Sequence, residues 1–165
     1  HTSLDKIDFV VSPCSPFKVS NHLLDKHDRL MMIRSEIKHN NSFDVTDVEF
    51  RMKEPSFTID TLQLLTKKNP QNEYSLIMGS DNIIDFDKWK GYEKILQDYL
   101  IYVYQRPGFI FEEKHENIIF LEDCPLINIS SSLIRELIRK GKDISYLVPK
   151  NVFKYLFDNN LHNVI

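Results

Sequence analysis

Three consecutive hydroxyls and a guanidinium form the most chemically suggestive stretch of the sequence. Ser130, Ser131 and Ser132 precede a helical pattern that carries Arg135 in its first turn. Open backbone N–H groups, hydroxyl donors and a planar cation converging at one helix start are what a polyphosphate requires. An ordinary serine N-cap beside a solvated arginine would use the same residues. Gly79-Ser80-Asp81 stands where an apolar run ends. It offers either close backbone approach beside a carboxylate suited to ribose hydroxyls, or a tight turn with an Asp cap. Trp89, the one tryptophan, lies between Lys88 and Lys90 in a polar stretch. Its ring can stack on a flat heterocycle for about 0.5–1.5 kcal/mol beyond area burial, or pack beneath a loop. Lys18 follows Pro13 and Pro16 after the first apolar run, where an ammonium can meet a phosphate or stay solvated.

Other chemistries lack their residues. The six histidines, at positions 1, 22, 27, 39, 115 and 162, show no HxH or HxxxH spacing, and Cys14 and Cys124 form no CxxC, so no protein-ligated metal is expected. With four glycines in all, there is no GxGxxG, Walker A loop or GxSxG elbow. A net charge of −3 with interspersed signs does not suggest a basic face for duplex nucleic acid, whereas a local pocket for one phosphorylated ligand fits. No apolar stretch approaches the roughly 18 residues of a membrane span and no signal peptide opens the chain, so neither nucleic acid nor membrane is an expected partner. Two cysteines outside any framework fit a reducing, cytoplasmic setting.

The elements that must position these groups follow from periodicity and punctuation. At 165 residues, 42% hydrophobic and 27% charged, the chain reads as one ordinary globular domain over 1–165. Residues 7–11 predict a buried strand stopped by Ser12-Pro13. A helix is predicted between Asp25 and His39, with Leu30, Ile33 and Ile37 on one face, then a half-buried strand over 45–50. After Pro55, Ser56 or Thr58 is expected to cap a helix reaching about Lys68. Residues 74–78 predict another buried strand, after which Ser80 or Asp81 caps a helix. A short helix over 93–97, strands over 99–104 and 118–121, and a turn at Arg106-Pro107-Gly108 come next. The Ser130 helix runs to about Lys140 and ends at Gly141. A last helix after Pro149 carries Val152, Phe153, Leu156 and Phe157 on one face. This alternation predicts an α/β, Rossmann-like, mostly parallel sheet with helices on both faces and a small C-terminal helical part. Ligands then bind at the carboxyl ends of the strands.

Taken in order, the segments resemble the bacterial nicotinate-nucleotide adenylyltransferases of the HxGH-type nucleotidyltransferase superfamily, which has the adenine nucleotide alpha-hydrolase-like (HUP) fold. The resemblance rests on Ser12-Pro13-Cys14-Ser15-Pro16-Phe17-Lys18, Arg29-Leu30-Met31-Met32, Pro55-Ser56-Phe57-Thr58-Ile59-Asp60-Thr61-Leu62 and Gly79-Ser80-Asp81 with Phe86 and Trp89. It continues through Arg106-Pro107-Gly108, Ile129-Ser130-Ser131-Ser132-Leu133-Ile134-Arg135 and Leu147-Val148-Pro149. It implies transfer of the adenylyl group of ATP to nicotinate mononucleotide, with Mg²⁺ carried in on ATP and no covalent enzyme intermediate. By resemblance, Lys18 and Arg135 are the catalytic candidates. Gly79, Asp81, Ser130, Ser131 and Arg135 would bind ATP, and Phe57, Thr58, Trp89 and Lys90 would bind the nicotinate nucleotide. Phe17 departs from the family's usual histidine there, and Ser132 stands where threonine is usual.

The family's opening strand and GxFxPxHxGH loop do not occur in the 165 residues. A strand–loop–helix segment of roughly 20–30 residues is therefore expected upstream of His1, and a polypeptide without it is expected to fold poorly and turn over little. The amide substrate, another superfamily transferase and a non-catalytic nucleotide-binding module are the alternatives, and a homo-oligomer is left open.

Overall fold

The computed structural model describes residues 2–13, 23–109, 115–122 and 124–164. It resolves into two compact units, one formed mainly by Phe57–Asn128 and the other by Ser3–Ser56 with Ile129–Ile165.

In the second of these units, β1 (Ile7–Val10) pairs in parallel with β2 (Phe43–Thr46), Ile7 opposite Phe43 and Val10 opposite Thr46. The crossover is α1 (Lys26–Ile37), whose N-cap Asp25 accepts the His27 N–H at 2.8 Å. Its periodic face buries Leu30 against Val11 and Val45, with Ile33, Ile37 and Phe50 packed around them. Three expectations are corrected here. Rather than being buried, β1 leaves Phe9 38% exposed, because among the described strands it pairs on one side only. The strand expected over 45–50 stops at Thr46. The Thr46 hydroxyl oxygen accepts the Val48 N–H at 3.2 Å and Phe50 N–H reaches the Asp47 carbonyl at 2.9 Å, so Val48–Arg51 winds into a 3-10 turn with Val48 and Glu49 inside. Ser56, expected as a helix cap, instead donates its hydroxyl to the buried Glu49 carboxylate at 2.6 Å.

The same unit holds α5 (Ser131–Arg139) and α6 (Lys150–Asp158). α6 is fastened to α1 by the Tyr155 hydroxyl, which donates to Asp28 at 3.0 Å, and by the Asn151 N–H, which donates to Glu36 at 3.2 Å. Burial, with the Asp28 carboxylate beside it, pushes the Tyr155 phenol up and keeps it a donor.

In the other unit, β3 (Ser75–Gly79), β4 (Leu100–Tyr104) and β5 (Ile118–Leu121) form a parallel sheet in that order. β4 is central, and Ile101, Tyr102 and Val103 are all buried, as a parallel strand covered on both faces requires. Around it lie α2 (Thr58–Lys68), α3 (Ser80–Ile83) and α4 (Tyr92–Asp98). Ile59, Leu62, Met78, Ile83, Phe86 and Ile95 join Ile101 and Val103 in one apolar cluster. All described strand pairs are parallel, but they form a two-stranded and a three-stranded sheet where one was expected. Among the described residues, no helix is long and apolar enough to cross a membrane.

Candidate active site

The strand ends predicted to receive ligands are adjacent within the three-stranded unit, since Gly79 at the end of β3 pairs with Tyr104 at the end of β4. α3 begins immediately after Gly79, whose φ of −81° needs no glycine. The glycine is required by crowding. A Cβ there would collide with the Asp81 carboxylate and come within 2.9 Å of Arg106 Cγ. Neither Ser80 nor Asp81 caps α3, contrary to expectation. Ser80 is buried, accepts the Arg106 N–H at 2.9 Å and donates to the Phe109 carbonyl at 3.0 Å. Its hydroxyl thus latches the 106–109 turn, in which Gly108 takes a φ of +84°. The latch leaves Arg106 Nε 3.9 Å from Asp81 Oδ1. Arg106 is a cation at this site, in the strand-end turn Arg106-Pro107-Gly108 but not among the candidate site residues of the sequence; its signal is its position two residues after β4.

A second cluster lies at the start of α2 in the same unit. Phe57 occupies the N-cap position without a side-chain cap, and its carbonyl accepts the Asp60 and Thr61 N–H groups at 3.0 and 3.1 Å. Lys90 spans this end: its ammonium donates to Asp60 at 2.8 Å and sits 4.6 Å from the Phe57 ring centroid. Trp89, half-buried, meets Phe86 edge-on at a centroid distance of 5.5 Å and packs with Phe57 against the unit's core. Gly91, which follows Lys90, has a φ of +67°, and a Cβ there would stand 3.3 Å from Ile59 of α2. The turn into α4 is therefore pressed onto α2, which brings Phe57, Thr58, Trp89 and Lys90 into one neighbourhood.

The third cluster belongs to the other unit. Ser130 is the N-cap of α5, and its hydroxyl oxygen accepts the Leu133 N–H at 3.2 Å. Ser131 is exposed at the first helical position. Arg135 is half-buried and donates Nη2 to the Ser132 hydroxyl at 3.2 Å, with no carboxylate partner among the described residues. Ser130 is thus the serine N-cap anticipated as one alternative, and capping through a lone pair leaves its O–H able to donate. Lys18 and Phe17 lie outside the described residues. Among the described residues no group of three or more His, Cys, Asp or Glu could hold a metal ion.

Residues 1–137 match the profile of the Cytidylyltransferase-like family. A protein of Cytophaga hutchinsonii described as a probable nicotinate-nucleotide adenylyltransferase is 39% identical over 164 residues, covering 98% of this chain and 85% of that relative. The chain belongs to the nicotinate-nucleotide adenylyltransferases, within the cytidylyltransferase-like family. An Azobacteroides pseudotrichonymphae protein described in the same words is 40% identical over 156 residues, 94% of this chain and 82% of its own length. The fold of this adenylyltransferase is similar to that of Plasmodium falciparum nicotinic acid mononucleotide adenylyltransferase complexed with NaAD. The TM-score is 0.77 at 23% identity, covering 98% of this chain and 84% of that one. The expected α/β nucleotidyltransferase fold is thus borne out.

Proposed function

We propose that this adenylyltransferase acts in the cytoplasm, transferring the adenylyl group of ATP to nicotinate mononucleotide and releasing nicotinate adenine dinucleotide and pyrophosphate. The observation that carries the choice of acceptor is the start of α2, where a helix end without a side-chain cap, the Lys90 cation and the Trp89 ring lie together. A pyridine bearing a carboxylate suits that set. The N–H groups of the Phe57–Thr58 turn and the Lys90 ammonium take the carboxylate, and Trp89 stacks on the ring.

In the reaction an oxygen of the mononucleotide 5′-phosphate attacks the α-phosphorus of ATP. The bond from that phosphorus to the α,β-bridging oxygen breaks, and the electron pair leaves on pyrophosphate. No side chain becomes covalently bonded, so the protein contributes positioning and charge stabilisation. Ser130 and Ser131 donate to the ATP phosphates from the start of α5, and Arg135 neutralises the charge that builds on the leaving group. Gly79 admits the adenosine close to the backbone and Asp81 accepts from its hydroxyls. Lys18 takes, by the family resemblance, the role of an ammonium that neutralises the reacting phosphates. Mg²⁺ arrives on ATP as part of the substrate and screens its phosphate charge.

Trp89 provides the test. If it stacks on the pyridine ring, titrating nicotinate mononucleotide into the complete gene product shifts or quenches the emission of its indole. An emission unchanged at millimolar ligand would remove Trp89 from the acceptor site.

A further inference from the structure

Lys90 is restrained from two sides, by the Asp60 carboxylate at 2.8 Å and by the face of Phe57 at 4.6 Å. The pair is open to water, with side-chain exposures of 52% for Lys90 and 40% for Asp60. An ion pair so exposed adds little to folding. Its effect lies in where it leaves the ammonium. An untethered lysine carries four rotors, and each must be frozen when it grips a ligand. Here Asp60, in the first turn of α2, fixes Nζ over the N-cap residue of that helix. The ammonium has three N–H donors, and the bond to Asp60 uses one. The others can reach a second carboxylate arriving at the helix start.

We propose that Asp60 is a positioning residue for acid selectivity: it holds the Lys90 ammonium at the start of α2, so that Lys90 bridges Asp60 and the carboxylate of the mononucleotide. The inference rests on the acceptor reading given above. A neutral carboxamide gains no ionic contact with Lys90, so Asp60 matters to the acid and not to the amide. The opposite role is also physically defined. If Asp60 merely faced the incoming carboxylate, its charge would repel the acid, and removing that charge would tighten acid binding.

The test is calorimetric binding of nicotinate mononucleotide and nicotinamide mononucleotide to the complete gene product, as wild type, Asp60→Asn, Lys90→Met and the double variant. Asp60→Asn is expected to raise the Kd for the acid about 3–5-fold, the upper part of the range open to one partly exposed charge contact. The Kd for the amide stays within about twofold. Lys90→Met raises the acid Kd by at least as much, and the double variant matches Lys90→Met alone, because Asp60 acts through Lys90. Asp60→Glu restores most of the acid affinity. Equal losses for both mononucleotides, additive losses in the double variant, or tighter acid binding by Asp60→Asn would each overturn the proposal. A wild type without preference for the acid would overturn the acceptor reading and this inference with it. A wild-type preference that survives intact in Asp60→Asn overturns only the inference. Thermal melting of each variant separates these results from unfolding.

Discussion

Arg135→Ala is expected to lower kcat/KM for ATP about 100-fold or more, the loss seen when one preorganised donor to developing charge is removed. Arg135 is the fifth residue of α5, just past its first turn, and its bonded partner is the Ser132 hydroxyl rather than a carboxylate. Its full positive charge is therefore available to phosphate oxygens. Arg135→Lys keeps the charge but loses the two-pronged donor geometry, so an intermediate rate is expected. The fold should not suffer. The Ser130 cap of α5 is made to the Leu133 N–H and does not involve Arg135, so stability should change by about 0.5 kcal/mol or less. Steady-state kinetics with varied ATP read the effect, and wild-type kinetics in Arg135→Ala would exclude Arg135 from the phosphate site.

The largest structural effect is expected from Ile101→Ala. Ile101 is 0% exposed in the central strand β4, within the cluster that includes Met78, Ile95 and Val103. Truncation removes buried methyl groups and leaves a cavity, which costs about 2–5 kcal/mol. That is a large share of the roughly 5–15 kcal/mol typical of a native domain. Ile119→Ala, on edge strand β5 at 36% exposure, is expected to cost well under half as much. Urea unfolding of the two variants compares them directly. Equal losses would contradict the assignment of β4 as the covered centre of its sheet.

Features with local causes were legible in the sequence. The start of α1 at Asp25 and the capping of α5 by Ser130 follow from a short polar side chain placed just before an apolar period. Strand endings at Pro13, Gly79 and Arg106-Pro107-Gly108 follow from residues that break or turn the ladder. What could not be read depends on partners far along the chain. Ser80 looked like a helix cap, but its hydroxyl is taken by Arg106 and Phe109, 26 and 29 residues away. Ser56 looked the same and binds Glu49 instead. Val45 to Phe50 alternates like a strand, yet Thr46 and Asp47 turn the backbone before the pattern is complete. The Asp60–Lys90 pair spans 30 residues and no spacing rule announces it. The expected neighbourhoods of Gly79 with Asp81, and of Phe57 with Lys90, did form. Arg106 joined the first of them through the Ser80 latch, a contact visible only once the turn is built.

The measurement that tests the central claim most directly is pyrophosphate release by the complete gene product with ATP, Mg²⁺ and nicotinate mononucleotide, run in parallel with nicotinamide mononucleotide. The account predicts stoichiometric pyrophosphate and nicotinate adenine dinucleotide, with kcat/KM higher for the acid than for the amide. ATP binding without pyrophosphate release from either mononucleotide, or faster release with the amide, would contradict it.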